Sequence, residues 1–286
     1  MLQWQDAWQR ALYGPGGFYR RPEGPAGHFR TASHAAPDEL AEAIARLAVS
    51  VGASRIVDVG AGRGELLTSL VSQDLKELWG VDVVARPPGL PSSVQWAAGL
   101  NVLPDEAFED ALVIVWELLD VVPLPVLEID ERGCPSLVLV DPRTGREKLA
   151  GPPRPQFRLW IDEWWPPDAL EEGDRLEVGL PRDLFWRDLT ERAWRAGARA
   201  ALCVDYAHTR SERPAQGSLT GFRSGRAVPP RPDGSMDLTA HVAIDSIAGT
   251  TMWTTQADAL AELGVRDQEL LDPGGLGGFA WLLQMP

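Results

Sequence analysis

The chain has 286 residues, a formal net charge of -14, a hydrophobic fraction of 44% and 12 tryptophans. It is too apolar for a disordered chain, and its acid excess argues against nucleic acid as a partner, since a dedicated binder needs a basic face. No apolar run reaches membrane-spanning length, and the polar start from Met1 to Arg10 has no apolar leader core. These features predict a cytoplasmic chain with no membrane contact. Cys134 and Cys203 lie far apart in sequence, and His28, His34, His208 and His241 form no local ligand pair. Neither a disulfide nor a metal site is expected.

In chain order, the first 35 residues read as loop with short helical pieces, punctuated by Gly14-Pro15-Gly16-Gly17 and Gly24-Pro25. A helix opens at Pro37-Asp38-Glu39, where proline suits the first turn and the acids suit the positive helix end. Leu40, Ile44, Leu47 and Val51 then mark one apolar face. Strands are predicted at Ser54 to Val59, Glu77 to Val84, Ser93 to Ala97, Ala111 to Trp116 and Ala198 to Tyr206. Helices are predicted over Glu65 to Gln73 and Leu184 to Ala196. The run Ala-Leu-Val-Ile-Val-Trp at 111–116 is apolar throughout, as a strand buried on both faces requires. Alternation of strands and helices predicts an α/β fold with a parallel sheet.

Residues 123–183 break the rhythm. Val126–Ile129 and Ser136–Val140 read as a hairpin around Asp130-Glu131-Arg132-Gly133. Arg158–Ile161 and Arg175–Val178 read as strands flanking Trp164-Trp165, a pair suited to packing or to lining a substrate groove. This region is expected to be an inserted α+β cap. The expected division is an N-terminal segment at 1–36, a core at 37–122 and 184–286, and the cap at 123–183. Gln216 to Asp237, rich in Gly, Pro and Arg, reads as a long loop.

The sharpest local signal is Val57-Asp58-Val59-Gly60-Ala61-Gly62-Arg63-Gly64. A strand enters a tight turn whose glycines permit positive φ and close ligand approach. A dinucleotide fingerprint needs its third glycine where Glu65 stands, and a glutamate beside a pyrophosphate would repel it. Trp79-Gly80-Val81-Asp82 ends the next strand in an acid able to receive ribose hydroxyls. The pattern Gly-x-Gly-x-Gly after an acid resembles motif I of class I S-adenosyl-L-methionine (SAM)-dependent methyltransferases. That resemblance implies a Rossmann-like sheet with helices on both faces and a SAM cofactor.

Further segments resemble the MidA-like methyltransferase family, whose mitochondrial members assist assembly of respiratory complex I. They are Ala11-Leu12-Tyr13-Gly14-Pro15-Gly16-Gly17-Phe18-Tyr19, Gly27-His28-Phe29-Arg30-Thr31-Ala32-Ser33, Trp116-Glu117-Leu118-Leu119-Asp120-Val121-Val122-Pro123, Val204-Asp205-Tyr206-Ala207-His208, Gly217-Ser218-Leu219-Thr220-Gly221-Phe222 and Asp237-Leu238-Thr239-Ala240-His241-Val242. Trp116, Val121 and Ala243 depart from the family's Asn, Ala and Asp. The resemblance implies that 1–36 covers the cofactor. It also implies cofactor contacts from Asp58, Gly60, Ala61, Gly62, Gly64, Asp82, Phe29, Thr31 and Trp116, and a protein substrate methylated on arginine.

A guanidinium is permanently charged and forks onto carboxylates, and methylating it requires loss of a proton. Glu117, with Asp120 second, is the candidate for anchoring and proton acceptance, and His241 is a further catalytic candidate. Asp237 and His208 are alternatives; equally, Asp237 could cap a helix and His208 could bond backbone. Competing readings are a non-catalytic SAM-binding assembly factor and a small-molecule methyltransferase.

Overall fold

A computed structural model describes residues 1–21, 32–165, 170–249 and 251–286. The chain divides into two compact units: 30–118, 187–206 and 250–286 form one, and 1–29, 119–186 and 207–249 form the other. Residues 207–249, read from sequence as core, therefore group with the inserted region and the N-terminal segment.

The first unit is built on a seven-stranded sheet. Its strands are β1 (Arg55–Val59), β2 (Glu77–Val81), β3 (Val94–Ala97), β4 (Ala111–Trp116), β5 (Ala200–Asp205), β6 (Trp253–Thr255) and β7 (Ala280–Gln284), in the spatial order β6-β7-β5-β4-β1-β2-β3. β1 to β5 are parallel, whereas β7 pairs antiparallel with both β5 and β6, so the sheet is mixed and not wholly parallel. β1 and β5 are buried at every position, and β4 at all but Trp116, because helices and sheet share one apolar cluster. Leu40, Ile44 and Leu47 of the helix Pro37–Ser50 join Ile56, Leu112, Ile114, Leu202 and Trp281 in it. The chain steps outward from β1 to β3, then returns to β4 on the other side of β1. That reversal makes the carboxyl ends of β1 and β4 the topological switch point, where ligands bind in such sheets.

The second unit opens with a helix, Trp4–Tyr13, longer than the short pieces expected. Trp4, Ala7, Trp8, Ala11 and Leu12 are buried on one face. The hairpin Val126–Ile129 with Pro135–Val140 forms as read, with Asp130 Oδ1 accepting from the Arg132 and Cys134 N–H groups to close its turn. Arg158–Ile161 is not a strand but lies inside the helix Pro155–Trp164. Proline at its first turn and burial of Phe157, Trp160 and Ile161 at helical spacing outweigh local β propensity. The loop expected over 216–237 holds a hairpin, Thr220–Arg223 with Arg226–Val228, and Thr220–Arg223 also pairs with Asp237–Thr239. Ser224 and Gly225, at φ 51 and 73, make the two-residue turn of this hairpin. Among the described residues, no helix is long and apolar enough to cross a membrane.

Candidate functional site

The carboxyl end of β1 runs into Gly60, Gly62 and Gly64, all left-handed at φ 84, 59 and 79. An added Cβ on Gly60 would lie 3.0 Å from Leu118 Cδ1, and one on Gly64 would lie 2.4 Å from Leu90 Cδ1. Gly62 faces open space apart from Glu65 Oε2 at 3.4 Å, so its requirement is conformational and not a crowded neighbour. The turn is latched to the tip of β2. Gly60 and Ala61 N–H donate to Val81 O at 2.8 and 3.1 Å, and Gly62 N–H donates to Asp82 Oδ2 at 2.9 Å. Asp82 thus braces the turn with one oxygen, while Oδ1 receives a long 3.4 Å contact from Val84 N–H.

Carboxylates crowd this turn. Asp58 is buried, and its carboxyl is pushed up to about 7 by burial first and by Asp82 and Glu65 second. Burial also raises Asp82, against the hydrogen bonds from Gly62, Val83 and Val84 that favour its charge. Such a negative, glycine-lined turn suits a ligand that carries positive charge and approaches backbone closely. Trp116, at the end of β4, stands edge-on to Trp281 at 5.6 Å between ring centroids, and its buried indole N–H has no acceptor among the described residues. A ligand with a hydrogen-bond acceptor would satisfy it. These features fit SAM, whose sulfonium and α-ammonium are cationic and whose adenosine is rich in acceptors.

Glu117 follows directly. Its backbone sits at φ 50, uncommon for a residue with a Cβ and the kind of strain that accumulates at functional sites. Its N–H donates to Val204 O at 2.8 Å, and its Oε1 lies 3.4 Å from Ala32 N–H. Val59 is paired with Val115, so the Gly60 turn and Glu117 leave adjacent strands at the switch point. The first unit therefore brings together Asp58, Gly60, Ala61, Gly62, Gly64, Asp82, Trp116 and Glu117. Phe29 and Thr31 lie outside the described residues.

Asp120 and His241 belong to the second unit. Asp120 is buried, and burial pushes its carboxyl up to about 6 although Arg182 works in the opposite direction. Asp237, also buried, caps no helix. It lies in a strand, and Tyr19 Oη donates to its two oxygens at 3.0 and 3.1 Å. Burial and Asp237 together hold the Tyr19 phenol well above its ordinary range. His208 Nδ1 accepts from Arg213 Nη1 at 2.5 Å, and burial with the Arg213 charge pushes this imidazole down to about 3, so it is neutral. The exposed His241 stands 6.5 Å from it between ring centroids.

Sequence reasoning missed Arg182 and Glu177, both buried. Arg182 donates to the carbonyls of Asp120, Val122, Ala240 and His241. Glu177 accepts from Ser218 across 41 positions, a pairing that no local pattern announces. Among the described residues, no group of three His, Cys, Asp or Glu side chains gathers to hold a metal ion.

A family model described as "Putative S-adenosyl-L-methionine-dependent methyltransferase" matches residues 71–262, more than half of the 286-residue chain. The chain belongs to that family, in keeping with its MidA-like motifs, and its cofactor is SAM. Two crystal structures from Burkholderia thailandensis share the fold. One, described as a superfamily member and "likely methyl transferase", is bound to S-adenosyl-homocysteine. It has a TM-score of 0.77 and 24% identity, over 100% of this chain and 88% of that one. The other, an uncharacterized protein of the same superfamily, has a TM-score of 0.75 and 24% identity, over 100% of this chain and 87% of that one. A search of curated proteins found no match.

Proposed function

We propose that this SAM-dependent methyltransferase methylates a guanidinium nitrogen of a protein arginine, with Glu117 meeting the acceptor. The observation that carries this reading is the placement of Glu117. A strained glutamate leaves β4 at the switch point, on the strand next to the glycine turn. When bound, SAM supplies an electrophilic methyl group carried on a sulfonium. The acceptor nitrogen gains that methyl and must lose a proton. The Glu117 carboxylate can pair with the guanidinium, orient its N–H and take the proton. Asp120 and His241 are the second-unit candidates for contact with the acceptor. The same reading puts the chain in the cytoplasm with a protein as its partner.

The test is transfer of radiolabelled methyl from SAM into lysate protein, followed by acid hydrolysis and separation of methylated amino acids. Methylarginine should appear, and Glu117→Gln should reduce it by at least about a hundredfold, the usual scale for a lost general base. The Kd for cofactor should stay nearly unchanged. Label found in small molecules alone would defeat the protein-arginine reading. Trp116, which departs from the Asn that the family resemblance implies, favours one alternative, cofactor binding without turnover. That alternative predicts a normal Kd and no labelled product.

A further inference from the structure

The carboxyl end of β5 delivers a tyrosine whose ring is fixed from two sides. Asp205, the last residue of β5, pairs with Ala280 of β7 and is buried. Its Oδ1 accepts from the Tyr206 N–H at 2.9 Å. The Tyr206 ring rests on Phe279, the residue before β7, at 4.0 Å between centroids and a tilt of 48°. Phe279 is 2% exposed, and its carbonyl accepts from the Gln256 N–H at 2.7 Å. Tyr206, on this buried support, keeps 40% of its own surface exposed.

The register of the sheet brings that ring to the same edge as Glu117. Trp116 and Trp281 both pair with Val204, and the Glu117 N–H donates to Val204 O. Val204, Phe279 and Trp281 belong to one apolar cluster, against which Trp116 packs. Ala32 belongs to that cluster too, and its N–H is the group 3.4 Å from Glu117 Oε1. The Glu117 carboxylate and the Tyr206 ring therefore lie on one face of the sheet, at its carboxyl edge. β5 flanks β4 on the side away from β1, so Glu117 stands between the glycine turn and Tyr206. All of these residues belong to the first unit.

A single exposed aromatic ring is ordinary on a protein surface. The position of this one is not. It sits one residue past a buried parallel strand, at the edge where such sheets bind ligands, beside a glutamate with strained backbone. An aromatic face attracts a cation, and a planar guanidinium stacks on it. A carboxylate takes the N–H edge of the same guanidinium and leaves its face available. A ring and a carboxylate side by side thus match the two sides of one planar cation.

We propose that Tyr206 is a specificity-determining residue for the methyl acceptor, its ring stacking on the guanidinium that Glu117 holds by the edge. This rests on the arginine methyltransferase reading above.

The experiment measures transfer of radiolabelled methyl from SAM into lysate protein, against lysate concentration. It compares wild type, Tyr206→Phe, Tyr206→Leu and chains in which fluorinated phenylalanines replace Tyr206. Fluorine draws π density from the ring face and changes its shape little, so contact with Phe279 is kept. Tyr206→Phe should hold the apparent KM within about twofold of wild type, and Tyr206→Leu should raise it about tenfold. In the fluorinated series KM should climb with each added fluorine. In every variant kcat and, by calorimetry, the Kd for SAM should stay close to wild type. A ring that only packs would not respond to fluorine. A KM that does not change along the fluorinated series overturns this inference alone. A wild-type chain that forms no methylarginine overturns the arginine reading, and this inference with it.

Discussion

Asp58→Asn should stabilise the cofactor-free chain in neutral to alkaline buffer while weakening its affinity for SAM. The Asp58 carboxyl titrates near 3.8 when exposed and at about 7 in the fold, burial being the larger cause and Asp82 and Glu65 the smaller. Below the exposed value both states are protonated and the site contributes no difference. As pH rises the unfolded chain releases its proton first, so the folded state loses relative stability until its own carboxyl has ionised. At roughly 1.4 kcal/mol per pH unit, the full penalty above neutrality is on the order of 4 kcal/mol. Asparagine removes the charge but must place an amide N–H₂, so about half of that penalty should be recovered. Urea unfolding of both chains, at about pH 4 and about pH 8, measures the effect as a stability difference that grows with pH. In calorimetry, SAM binding to wild type near neutrality should release up to about half a proton, the fraction Asp58 still holds there, seen as a heat that depends on the buffer's ionisation enthalpy. Asp58→Asn should lose both that proton and at least about tenfold in affinity. A stability difference of the same size at both pH values would refute the reasoning.

Gly64→Ala should lose about 1–2 kcal/mol for the left-handed backbone alone, plus the displacement of Leu90 that its Cβ demands. Thermal unfolding should show the loss and calorimetry a weaker SAM affinity; unchanged binding would count against the turn as the cofactor site. Tyr19→Phe strips the phenol from the buried Asp237 carboxylate, and urea unfolding should register a cost of about 1–3 kcal/mol. Arg192→Lys should destabilise by about 1–2 kcal/mol, because an ammonium cannot reproduce the guanidinium's simultaneous bonds to Leu100 O, Leu103 O and Asp105. Arg195→Lys, on an exposed side chain whose partner Glu191 is 4.0 Å away, should change stability by less than about 0.5 kcal/mol.

The five parallel strands of the first unit were legible because their signals are local, whereas β6 and β7 were not read. An apolar run such as 111–116 can hardly be anything but a buried strand, and glycines at alternating positions after an acid leave few options for the turn. The candidate cofactor turn is read from those two facts plus the acid that ends β2. The helix Pro155–Trp164 was misread because its buried face, Phe157, Trp160 and Ile161, occupies only three positions among charged neighbours. The roles of Glu177 and Arg182 were illegible for a different reason. Their partners lie 41 to 62 positions away and are mostly backbone groups, which carry no sequence identity at all.

That observation also gives the composition a physical meaning. The chain carries 24 prolines, each of which offers a carbonyl and no N–H. Its connecting segments are therefore short of backbone donors. Arginine supplies them: Arg86 donates to the carbonyls of Leu90, Pro91 and Val94, Arg55 to those of Glu106 and Glu109, Arg182 to four more. A planar fork with five donors can serve several carbonyls at once, whereas the three donors of lysine diverge from one nitrogen. Lys76 and Lys148 are the only lysines in the sequence. The arginine bias, which by itself indicates no mechanism, thus supplies donors to connecting segments, and in Arg182 the same device ties together the carbonyls of Asp120, Val122, Ala240 and His241.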